Sequence, residues 1–108
     1  MMTIYLSGPM SGLPENNYPA FHAAAARLRR LGLRVENPAE NAPPACGSWQ
    51  GYMRLALVQL ARCDGVALLP GWRQSRGARL ENCIARRLGL DVRPLEAFLV
   101  PGLPGGTA

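Results

Sequence analysis

The run at residues 65–69 (GVALL) most constrains what this chain can fold into. Its apolar residues are consecutive rather than alternating, as suits a short strand covered on both faces. Pro70 and Gly71 close it. Elsewhere strand-like runs alternate with helical periodicity, and that alternation predicts a parallel sheet with right-handed crossover helices. Residues 3–7 (TIYLS) form a first strand ending at Gly8-Pro9. Asn16 or Asn17 offers an N-cap, with Pro19 in the first turn of a helix over 19–31. Phe21, Ala24, Ala25, Leu28 and Leu31 share one face of it, and Gly32 stops it. A second strand over 33–36 is closed by Asn37-Pro38. After a Pro-rich loop, Ser48 caps a helix over 49–62 whose stripe includes Met53, Ala56, Leu57 and Leu60. A helix over 77–88 and a last strand over 91–95 complete the order. The expected fold is a three-layer α/β arrangement, Rossmann-like or flavodoxin-like, with four to five parallel strands and helices on both faces. It forms one domain over residues 1–97, followed by a flexible tail over 98–108.

Glu81 is the residue that points to chemistry. In GARLENCIARRL, helical spacing puts Gly77, Glu81, Ile84, Ala85 and Leu88 on one face, which should be the buried one. Positions three and four residues away hold Gly77, Ala78, Ile84 and Ala85, so no local ion pair explains the acid. It also lies too deep in the helix for a capping role. A carboxylate so placed needs a partner on another element or serves a ligand. The bland account is a core acid paired with a distant Arg; the functional account is a nucleophile.

Composition narrows the alternatives. With 48% apolar residues the chain is globular, and at 108 residues it is one domain small enough to favour a partner subunit, as a homodimer or higher homo-oligomer. No apolar run reaches the roughly 20 residues of a membrane span. The N-terminus runs straight into a strand without a basic region, so cytoplasmic residence is expected. All twelve cations are Arg, which removes both a phosphate-loop lysine and Schiff-base chemistry on a side-chain amine. The net charge of +5 suits phosphate-bearing ligands. The Arg residues are scattered, without the basic stripe and stacking aromatics of a nucleic-acid binder. Cys46, Cys63 and Cys83 form no CxxC pair, and His22 is the only histidine. Neither a metal site nor a Cys-His or Ser-His pair is expected, and no cofactor is implied.

In a parallel sheet ligands bind beyond the carboxyl ends of the strands, near the point where strand order reverses. That rule collects the loop at 8–17, the turn at 37–40 and the loop at 72–77. Asp64 precedes its strand and reads as a structural turn residue at the opposite edge. Ser75, Arg76, Gly77 and Ala78 open a helix, where free N–H groups and the dipole favour an anion. Gly8 and Gly12 flank Pro9, Met10 and Ser11 in a loop that allows close backbone approach to a ligand, although tight turns use glycine as well. Met10 and Trp72 offer apolar walls, and Arg73 or Arg76 a guanidinium for a phosphate.

Three segments, IYLSGPMSG, NP-AE and CDGVALLPGW-QSRGARLE, resemble a family of short bacterial and phage-encoded proteins of unassigned function. That family is similar to the nucleoside 2-deoxyribosyltransferases and the 2'-deoxynucleoside 5'-monophosphate N-glycosidases. The resemblance covers about residues 3–95. It implies that Glu81 is the nucleophile, that Ser75 contacts a 5'-phosphate, and that the loop from Gly8 to Gly12 lines a nucleotide site. The substrate-binding set expected on these grounds is Tyr5, Gly8, Pro9, Met10, Gly12, Asn37, Trp72, Ser75, Arg76 and Gly77. The relatives carry an aspartate in the second helix where this chain has Ala56, and Glu15, Glu36 and Glu40 are the candidates to replace it. The expected activity is that of an N-glycosidase or deoxyribosyltransferase on a (deoxy)nucleoside 5'-monophosphate. The alternative is a non-catalytic nucleotide-binding or sensor protein on the same fold.

Overall fold

The computed structural model describes residues 2–42 and 47–100. Its core is a four-stranded parallel sheet made of β1 (Thr3–Ser7), β2 (Arg34–Glu36), β3 (Gly65–Leu68) and β4 (Asp91–Pro94), in the order β2-β1-β3-β4. Tyr5 stands opposite Val66 in the register, and Val66 opposite Val92. Helices α1 (Tyr18–Arg30), α2 (Trp49–Ala61), α3 (Arg76–Arg87) and the short α4 (Leu95–Leu99) cover the sheet. This is the α/β sandwich expected, of flavodoxin-like strand order.

Strand alternation divides the core in two. Ile4 and Leu6 point to one face, where Phe21, Ala24, Ala25 and Leu28 of α1 and Leu95 of α4 cover them. Tyr5 points to the other face, against Ala56 and Leu60 of α2 and Ala85 of α3. Ile4, Leu6, Leu28, Leu60 and Val66 are fully buried, each contributing roughly 1.5–3 kcal/mol of apolar transfer free energy. Asp64 ties the lower edge together. Its Oδ2 accepts from the Thr3 N–H at 2.8 Å, and its own N–H donates to the Thr3 carbonyl at 2.8 Å. It is a structural residue at the far edge, as its place before β3 implied.

Several boundaries differ from expectation for local reasons. Leu31 and Leu88 are the C-cap residues of α1 and α3, turned out of the stripe as their helices end, and are 56% and 54% exposed. Neither Asn16 nor Asn17 caps α1 through its side chain. Both have positive φ, and the Asn17 amide instead donates to the Pro9 carbonyl at 2.9 Å. Asn17 therefore anchors the loop that follows β1. Ser48 caps α2, accepting from Gly51 N–H at 3.0 Å. The helix α4 carries Phe98 and Leu99 onto the α1 side of the core; the remainder of the expected tail, 101–108, lies outside the described residues. Among the described residues no helix is long and apolar enough to cross a membrane.

Candidate active site

Residues two apart on a strand share a face, so Ser7 points the same way as Tyr5, toward α3. Glu81 comes down from that helix between them and is 5% exposed. Its Oε2 accepts from the Tyr5 hydroxyl at 2.5 Å and its Oε1 from the Ser7 hydroxyl at 2.7 Å. Both bonds are short, as expected for hydroxyls donating to an ionised carboxylate. The described ion pairs are Arg27–Glu96, Arg29–Glu40 and Arg93–Asp91, so no guanidinium meets Glu81. The account of a core acid locked to arginine is excluded for the described residues. Burial drives the Glu81 carboxyl up to about 7, against the smaller opposing pull of the two hydrogen bonds. Burial, reinforced by Glu81, holds the Tyr5 phenol well above its ordinary value, so Tyr5 stays a donor.

Glu81 and Tyr5 line a cavity of about 250 Å³ at the carboxyl ends of β1 and β3. The chain leaves β1 for β2 on one side and later adds β3 on the other, so this is where strand order reverses. Gly8, Pro9, Met10 and Ser11 form one wall, and the start of α3 (Ser75, Arg76, Gly77 and Ala78) another. Ser75 is the N-cap of α3, accepting from the Ala78 N–H at 3.2 Å. The N–H groups of Arg76 and Gly77 fall in the first turn, where no helical carbonyl can serve them. Helix α2 closes the third side with Trp49, Tyr52 and Met53. The Arg76 guanidinium lies 3.7 Å from the centroid of the Trp49 ring, a cation–π contact that holds the positive charge at the cavity. A Cβ on Gly77 would stand 3.2 Å from the Met53 sulfur, so α3 approaches α2 closely there.

Eight of the eleven expected site residues line this cavity: Tyr5, Gly8, Pro9, Met10, Ser75, Arg76, Gly77 and Glu81. Three do not. Gly12 is exposed at φ +82, with nothing within 4 Å of where a Cβ would stand, and lies outside the cavity lining. Asn37 is buried as the cap of the 3-10 turn Pro38–Glu40, with its Oδ1 accepting from the Ala39 N–H at 3.0 Å. Trp72 faces a separate open hollow of about 620 Å³ beyond β3 and β4, with Arg73 5.0 Å over its ring. Arg73 is thus removed from the cavity, and Arg76 is the guanidinium that lines it. The acid candidates are also displaced. Glu40 is held by Arg29 at 2.9 Å, Glu36 accepts from Gln59 at 3.2 Å, and Glu15 is exposed. Ala56 is buried in the core. Among the described residues Glu81 is the one carboxylate lining the cavity.

Sequence reasoning missed Ser7, Trp49 and Tyr52. Ser7 could have been found from its strand phase with Tyr5. Trp49 and Tyr52 sit in the first turn of α2, four residues before Met53 and Ala56 on the same stripe, where an aromatic side chain reads as core. Among the described residues no group of three or more His, Cys, Asp or Glu side chains comes together.

Comparison with known proteins agrees with this architecture. Residues 2–93 match the family described as "Domain of unknown function (DUF4406)", and the chain belongs to that family. Comparison with the curated proteins gives no match. Among solved structures, the fold is similar to that of a 2-deoxyribosyltransferase from the psychrotolerant bacterium Bacillus psychrosaccharolyticus. The TM-score is 0.68 at 24% identity, over 85% of this chain and 70% of that one. The likeness is one of fold.

Proposed function

We propose that this protein breaks the N-glycosidic bond of a (deoxy)nucleoside 5'-monophosphate, with Glu81 as nucleophile and water or a second base as acceptor. The observation that carries the proposal is a carboxylate on a cavity wall held by two hydroxyls and no cation. The fold shared with a 2-deoxyribosyltransferase supports it. Each carboxylate oxygen has lone pairs beyond the one its hydroxyl donor occupies, so attack does not require either bond to break. Glu81 forms a C1'–O bond as the electron pair of the C1'–N bond departs with the base. Water then adds at C1', frees the carboxylate, and its proton balances the charge on the base.

The start of α3 suits the 5'-phosphate. Ser75, the first-turn N–H groups and the Arg76 guanidinium supply donors and positive charge at one end of the cavity. Arg76→Ala is expected to raise KM for a nucleoside 5'-monophosphate on the order of 10-fold or more, with little change for the unphosphorylated nucleoside. Ser75→Ala should do the same more weakly and also cost about 1 kcal/mol of stability through the lost cap. Equal effects on nucleotide and nucleoside would remove the phosphate from the proposal. A panel of nucleoside 5'-monophosphates and nucleosides, scored for free base, tests the activity itself.

One observation favours a second reading. Glycosidases of the usual retaining kind use two carboxylates, and only Glu81 lines the cavity among the described residues. A nucleotide sensor on this fold would bind the same panel and release no base.

A further inference from the structure

On the proposed reading the donors at the start of α3 face the phosphate and two hydroxyls hold the nucleophile, which leaves the other half of the cavity to be considered. The Tyr5 and Ser7 hydroxyls serve Glu81, and Arg76, stacked on Trp49, keeps its in-plane N–H groups at the start of α3. Tyr52 differs. Its hydroxyl donates to the thioether sulfur of Met10 at 3.0 Å, its one hydrogen bond among the described residues. A thioether is a weak acceptor, and any ligand nitrogen or carbonyl oxygen is a better one. The direction is also informative. Trp49 and Met53, on the same helix, approach Gly77 at the start of α3, whereas Tyr52 reaches toward the β1 loop. It therefore lies away from the phosphate end, where the other half of a nucleotide would be.

Building on the reading above, we infer that Tyr52 is a base-contacting residue whose O–H leaves Met10 to donate to an acceptor atom of the departing base. As the C1'–N bond breaks, negative charge grows on the base, and a fixed donor there stabilises it more than in the ground state. Tyr52 keeps its proton throughout, and the base takes its own from the water that resolves the glycosyl-enzyme. The phenol is held in the donor form. Burial, then the Glu81 charge and Tyr18, push it up to about 12. The same contact selects for bases with an acceptor near the glycosidic bond.

The test compares Tyr52→Phe with wild type on two substrates: a nucleoside 5'-monophosphate, and 4-nitrophenyl 2-deoxyriboside 5'-phosphate, whose weakly basic leaving group needs little help from a donor. The ratio of the two kcat/KM values is expected to change by on the order of 10–100-fold against the natural base. A ratio unchanged by the substitution overturns the assignment. If wild type releases neither leaving group, the glycosidase reading itself fails, and binding decides the role of Tyr52. In the Glu81→Gln background, Tyr52→Phe should then weaken a nucleoside 5'-monophosphate by about 10-fold relative to 2-deoxyribose 5-phosphate. Equal change for both ligands overturns the base contact.

Discussion

Glu81→Gln is expected to lower base release from a nucleoside 5'-monophosphate by on the order of 10³-fold or more, and yet to give a protein more stable than wild type at pH 8. The two effects have one origin. A carboxylate that is 5% exposed, with two hydroxyl partners and no cation, titrates at about 7 rather than near 4.5. Because the folded value is the raised one, the neutral acid favours folding fully below the unfolded value, and that contribution disappears as pH rises toward 7. The wild-type protein should lose about 2–3 kcal/mol between pH 5 and pH 8 from this group alone. The Gln variant should not. Denaturant unfolding of both proteins at the two pH values measures the difference, and parallel losses would refute the buried-titration account. Kinetics supply an independent check. A nucleophile must be ionised, so kcat/KM should climb with pH through about 7 and level off above it. A variant that still frees base at the wild-type rate would end the nucleophile assignment, whatever its stability.

The parts of this arrangement that were legible in the sequence are those written in local patterns. GVALL bounded by Asp64 and Pro70 is a buried strand because its run is too short for a helix and does not alternate. Glu81 stood out because helical spacing placed it on the apolar stripe with no cation three or four residues away. Ser75 was readable as a cap because its neighbours open a helix. What escaped depends on the third dimension. Trp49 and Tyr52 continue the apolar stripe of α2, and only the placing of α3 and the β1 loop turns that first turn toward a cavity instead of the core. Trp72 and Arg73 follow β3 as expected, but the 3-10 turn Trp72–Gln74 carries them to another hollow. The helix α4 has five residues and begins directly after Pro94, too short for periodicity to register. Asn17 has the chemistry of a cap, yet its left-handed backbone aims the amide at Pro9.

Gly8→Ala is expected to destabilise the fold by roughly 1–3 kcal/mol and to raise KM several-fold, whereas Gly12→Ala should leave KM unchanged. The sequence suggests the same use for both glycines, close approach of backbone to a ligand. Only Gly8 is crowded, and what crowds it is protein. A Cβ there would meet the Cβ of Leu69 at 2.7 Å and its Cγ and Cδ1 at 3.3 Å. Leu69 cannot give way easily. It is 2% exposed against the α1 layer, and its N–H donates to the Ser7 carbonyl at 2.8 Å, fixing the two chain segments together. Relief must therefore come from moving the loop after β1, which carries Pro9 and Met10 on the cavity wall, or from loosening the Ser7 segment that presents a hydroxyl to Glu81. Either movement changes the site, so stability and substrate affinity should fall together. Gly12 has φ +82 and open space around it, so alanine there meets only backbone strain of about 1 kcal/mol. Unfolding curves and KM measured on both variants separate the two cases. Unchanged affinity in Gly8→Ala would mean that the β1 loop does not shape the site, and would remove Met10 and its Tyr52 contact from the substrate's surroundings.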